Sequence, residues 1–126
     1  MRETMLIASA ALAFAGAVAA APGLLAGLER GQWRVTSRDG GPVRTFCLGS
    51  ATQLAQLAHQ APACSIAAVE EGSDRVAVQY ICRGRGYGRT TIRRETPALV
   101  QIESQGVARG RPFQFTAEGR RVGACR

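Results

Sequence analysis

The sequence predicts a mainly β domain: an antiparallel meander curled into a barrel or half-barrel, with one short helix over residues 50–60. A two-sheet β-sandwich is the alternative. Three observations lead to this fold class. About eight short runs alternate apolar and polar residues, the mark of half-buried strands. Turn chemistry such as Asp39-Gly40-Gly41-Pro42 and Glu71-Gly72-Ser73-Asp74 separates them. The stretch Ala63–Arg83 folds on itself as a hairpin with a cysteine at the outer end of each arm. In so small a chain, a curled sheet hides its edges better than a flat one.

The domain starts after an export segment. Arg2 and the free amine precede the uncharged, Ala- and Leu-rich run MLIASAALAFAGAVAA. Ala17-Val18-Ala19 and Val18-Ala19-Ala20 end in the small residues a signal peptidase accepts, so residues 1–20 read as a signal peptide. The run is Ala- and Gly-rich and broken by Pro22-Gly23, a poor membrane-spanning helix. Residues 21–28 read as a flexible lead-in, and 29–126 as a single disulfide-linked domain. A mature chain of this size buries only a modest fraction of its surface.

Trp33, Val35 and Ser37 alternate with polar neighbours in the first strand, and Trp33, the one tryptophan, reads as a core anchor. Val43–Leu48 returns after the Asp39–Pro42 turn. Ser50 with Gln53 three residues on gives a capping-box signature, and Leu54, Leu57, Ala58 and Ala61 share one helical face before Pro62 stops the run. On that helical wheel His59 falls about 200° from Leu57 and points to solvent.

In the central hairpin, folding about Ser73 sets Cys64 opposite Cys82, Ile66 opposite Tyr80, Ala68 opposite Val78 and Glu70 opposite Val76. Arg83-Gly84-Arg85-Gly86-Tyr87-Gly88-Arg89 follows; it reads as a glycine-rich connection or bulged strand end rather than a single-stranded nucleic-acid binding repeat. A second hairpin turns at Pro97-Ala98, with Ile92, Val100 and Ile102 facing the core and Arg94 of the same parity as Ile92. Phe113 and Phe115 share a face of the strand Arg111–Ala117; Glu118-Gly119 then separates a last strand ending at Cys125.

Four cysteines behind an export signal read as two disulfides. The hairpin favours Cys64–Cys82, which leaves Cys47–Cys125, both off the core face. The formal charge is +7 and every basic residue is Arg. Arg83, Arg85, Arg89, Arg93 and Arg94 are the candidate contacts for anionic groups, since guanidinium binds phosphate and carboxylate in bidentate fashion. Export argues against a nucleic-acid partner.

Catalytic chemistry finds no support in the sequence. The one histidine lacks a G-x-S-x-G partner, and the carboxylates lie mostly in turns or strand ends. No C-x-x-C spacing suggests a metal or redox site, and no cofactor is expected.

Gly31-Gln32-Trp33-Arg34-Val35-Thr36, Phe46-Cys47-Leu48 before a short helix, Cys64 before a strand, Tyr80-Ile81-Cys82 and Arg120-Arg121-Val122-Gly123-Ala124-Cys125 occur in that order. Together they resemble the bacterial exported family known as domain of unknown function 3617, from about Leu28 to Cys125. The resemblance implies a small periplasmic or secreted β-rich protein with paired cysteines, and no catalytic residues. Two functions are expected on this footing. One is a non-catalytic envelope module that binds a small apolar ligand or an envelope protein. The alternative is an Arg-rich surface that binds lipopolysaccharide phosphates or acidic glycans. After signal cleavage it would not be an integral membrane protein.

Overall fold

The computed structural model describes residues 23–60 and 64–126, with residues 10 and 11. Apart from those two, the signal segment 1–20 lies outside the described residues, as does the helix stop at Pro62. The central hairpin is formed by β3 (Cys64–Glu71) and β4 (Arg75–Cys82). From Cys64↔Cys82 through Ile66↔Tyr80 to Ala68↔Val78 the strands pair in the register that their apolar alternation demands. Beyond Ala68 a bulge displaces the pairing by one residue, so Glu70 opposes Ala77 and Glu71 opposes Val76. A bulge adds twist and interrupts the ladder, which suits a strand at the rim of a sheet.

The remaining strands are β1 (Gly31–Ser37), β2 (Arg44–Leu48), β5 (Gly86–Thr96), β6 (Leu99–Ala108) and β7 (Arg111–Gly123). They join the hairpin in a seven-stranded sheet of order β2-β1-β7-β6-β5-β4-β3, and every neighbouring pair is antiparallel. The sheet is not closed: β2 and β3 each pair on one side only. Neither a closed barrel nor a pair of packed sheets describes the strands, all of which belong to this one sheet.

Among the described residues seven strands form where about eight are predicted, because the Glu118-Gly119 break does not exist. β7 runs through it, with Gly119 paired to Val100 on one side and to Val35 on the other. Glycine is needed there for packing, not for a turn. A Cβ on Gly119 would lie 3.0 Å from Val100 Cγ2 and 3.6 Å from Trp33 Cε3. Trp33 fills the space above the bare backbone, fully buried, and its Nε1–H donates to the Glu29 carbonyl at 2.9 Å.

Among the described residues two short helical pieces take part in the core. The segment expected as a flexible lead-in instead contains the helix α1 (Gly23–Ala26), and Leu24, Leu25 and Leu28 are core residues. Three leucines within five positions gain too much by burial to remain in water; each contributes about 1.5–3 kcal/mol when fully covered. The predicted helix over 50–60 is a 3₁₀ turn, Ala51–Leu54, followed by turns to Ala58. Leu54 and Leu57, three residues apart, are both buried, a spacing that the three-residue 3₁₀ period satisfies. Gln53 Oε1 accepts from the amides of Gly49 and Ser50 at 2.9 and 3.1 Å and anchors the start of that turn.

Both disulfides lock strands that the chain leaves open. Cys64–Cys82 joins β3 to β4 with a Cα separation of 4.3 Å. Cys47–Cys125 ties the outer strand β2 to the tail beyond β7 across 5.5 Å, with both cysteines exposed.

Candidate functional site

The sheet has two dissimilar faces. On the core face the cross-strand register aligns Ile66, Tyr80, Gly88, Gly106 and Phe113. The Tyr80 ring lies over Gly88, where a Cβ would fall 2.5 Å from the tyrosine oxygen. At Gly106 a Cβ would meet the backbone of Tyr87 and Gly88 at 2.1 and 2.6 Å, so β5 and β6 can approach only because this pair has no side chains.

His59 closes this glycine floor. It is only 6% exposed, not solvent-facing as the helical wheel implies, because the chain leaves helical geometry before reaching it. Its Nε2 lies 3.1 Å from the Arg85 carbonyl and its Nδ1 lies 2.8 Å from the Tyr80 hydroxyl. A carbonyl can only accept, so Nε2–H donates to Arg85; in the neutral ring Nδ1 then accepts from Tyr80. Edge-on contacts to Tyr80 and Phe113, with ring centroids 5.3 and 5.8 Å away, complete the surroundings. The Arg-Gly run thus supplies a structural carbonyl at Arg85 and a bare backbone at Gly86 and Gly88, while its arginine side chains are exposed.

Burial pushes the Tyr80 hydroxyl up from 10.0 to about 12. Between those pH values the folded state keeps a proton that the unfolded chain has lost, so stability falls as pH rises. The rise from 10.0 to about 12 corresponds to roughly 3 kcal/mol, fully present below pH 10 and lost through pH 12. Urea titrations across this range should show the decline in the wild type and a much flatter profile in Tyr80→Phe. Equal slopes would place the alkaline loss elsewhere.

The opposite face carries the candidate site. One row runs Ser65, Ile81, Tyr87, Val107 and Pro112 across five strands. The next runs Ala67, Gln79, Arg89, Gln105 and Gln114. Together they line an open trough of about 990 Å³, mostly apolar in surface. Ile81 and Tyr87 are 60% and 55% exposed, large apolar side chains left in water at its centre. Small-molecule pockets typically span about 300–1,000 Å³. Further along the same face Arg38, Arg75 and Arg93 surround a small polar hollow of about 250 Å³ with Gln101 and Glu103.

The five arginines singled out in the sequence do not converge. Arg83 and Arg85 lie exposed in the β4–β5 turn. Arg89 lies in the trough, 3.9 Å from Glu70, and Arg93 pairs with Glu95 at 3.3 Å. Arg94, of opposite parity to Arg93, is half-buried on the core side with its guanidinium against Gly27, just past the end of α1. Among the described residues no cluster of His, Cys, Asp or Glu could hold a metal ion, and every buried side-chain nitrogen or oxygen has a hydrogen-bond partner. No described helix is long and apolar enough to cross a membrane.

A single antiparallel sheet, in which the chain crosses from β2 at one edge to β3 at the other instead of running as one meander, clasped by two disulfides and bare on one face among the described residues, defines a small β-sheet protein whose candidate surface site is a trough. Over residues 28–125 the chain matches the family described as protein of unknown function (DUF3617), and it belongs to that family. No curated protein and no solved structure matches it.

Proposed function

We propose that this protein is an exported, non-catalytic module of the bacterial envelope, periplasmic or secreted, that binds a small apolar ligand in the trough of its uncovered face. The trough carries the reading: Ile81, Tyr87, Val107 and Pro112 form an apolar row that no element of the described chain covers. Paired cysteines support export, because disulfides persist in oxidising compartments. The signal-like residues 1–20 agree with it.

Titration with Nile red, an uncharged apolar dye, tests the site. Ile81→Glu should abolish the fluorescence gain while leaving the thermal midpoint within a degree or two, because Ile81 is mostly exposed. Undiminished binding by Ile81→Glu would remove the trough from consideration. A second reading, an anion surface, is favoured by the grouping of Arg38, Arg75 and Arg93. Dye binding should be indifferent to added salt, whereas an anionic glycan held by those arginines would be released by it.

A further inference from the structure

We infer that the trough selects a monomeric single-chain amphiphile with an anionic head, and that Arg89 holds the head. The inference rests on the trough being the binding site and names what enters it. The apolar row Ile81, Tyr87, Val107 and Pro112 spans four strands, and at about 4.8 Å between neighbours it measures roughly 14 Å from end to end, a length suited to a twelve-carbon acyl chain. Two residues further along each of these four strands the character changes at once. Gln79, Arg89, Gln105 and Gln114 stand in a line roughly 7 Å from the apolar row.

Arg89 is the charged group among the residues that line the trough. Its carboxylate partner Glu70 is 3.9 Å away, with side chains 43% and 69% exposed, a pair too open to hold the guanidinium tightly. A carboxylate head can take Glu70's place and receive two parallel N–H bonds, with amide donors from the flanking glutamines. Glu103 lies one row beyond, alongside Thr91, so an uncompensated second negative charge on the head would meet repulsion there. That geometry favours a singly charged carboxylate over a more highly charged head. The ligand is a free amphiphile, not a bilayer: the apolar groups line a trough of bounded volume with Arg89 as the one cation in its lining, and the exposed Arg83, Arg85, Arg109 and Arg111 lie at the hairpin ends outside that lining.

The experiment compares laurate with monolaurin, which shares its chain and lacks its charge, by calorimetry below their micelle concentrations. Wild-type protein should bind laurate about tenfold more tightly than monolaurin, and Arg89→Gln should erase that difference by weakening laurate far more than monolaurin. Amide NMR shifts should centre on Ile81, Tyr87, Val107 and Arg89. Equal affinity for both probes, or retention of laurate preference in Arg89→Gln, would overturn the role of Arg89 with the trough intact. Nile red binding without laurate binding would also sink this inference alone, and failure of all three probes would remove the trough as well. Binding only to anionic vesicles would make the face a membrane contact. A dimer that laurate does not dissociate would make it a contact between copies. Either result overturns the inference.

Discussion

Cys47→Ser/Cys125→Ser is expected to lower the stability of the domain by about 4.5 kcal/mol, the largest loss of any surface change in the molecule. The bond closes a loop of sequence separation 78, against 18 for Cys64–Cys82. In the chain-entropy account, opening the longer loop releases more denatured conformations, about 4.5 against 3.2 kcal/mol. Both cysteines are exposed, so the double serine variant neither creates a cavity nor buries a polar group. The loss therefore acts through the unfolded state and through the freed outer strand β2, which pairs with β1 alone. For a domain of this size the midpoint should fall by roughly 20 °C. Urea unfolding gives a second readout: the m-value should rise, because an unclasped chain exposes more surface when denatured. An unchanged midpoint would show that the β1–β2 and β1–β7 ladders hold the ends without the clasp.

The pairing of β3 with β4 was legible because a two-residue period, a turn cluster and two cysteines all demand the same register, and a one-residue slip would invert every side chain. The bulge after Ala68 was not, since an extra residue at an exposed rim leaves no mark in an edge strand of small and charged residues. Gly119 reads as a turn in one dimension and is a packing residue in three; only the neighbouring positions of Trp33 and Val100 distinguish the two. Leu24 and Leu28, four apart, do carry a short helical signal, which Pro22-Gly23 and Gly27 hide by suggesting a loose segment. The trough was invisible for a different reason. Ile81 and Tyr87 look like scattered surface residues until the β4–β5–β6–β7 register places them beside Val107 and Pro112. Site residues drawn from four strands need the sheet order before they become neighbours. The arginines illustrate the converse: Arg93 and Arg94 are adjacent in sequence and lie on opposite faces, as strand geometry requires.

His59→Ala is expected to cost about 4 kcal/mol, despite changing one lone polar residue with no catalytic partner. Removing the imidazole leaves the buried Tyr80 hydroxyl without its partner, at about 1–3 kcal/mol. It also takes the Nε2–H donor from the Arg85 carbonyl, which keeps only a long bond of 3.4 Å from the Arg109 amide. The void left between Tyr80, Phe113 and the glycine floor adds the rest, because the bare backbones of Gly86, Gly88 and Gly106 carry no side chain that could move in to fill it. A double-mutant cycle with Tyr80→Phe separates these contributions. Tyr80→Phe alone removes a hydroxyl and leaves Nδ1 unpaired; adding it to His59→Ala removes the orphaned hydroxyl as well. The double variant should therefore be more stable than the sum of the single losses by at least about 1 kcal/mol. Equilibrium urea unfolding of the four proteins at neutral pH measures the coupling. Simple additivity would mean that the histidine and the tyrosine are packed side by side without sharing a hydrogen bond in solution.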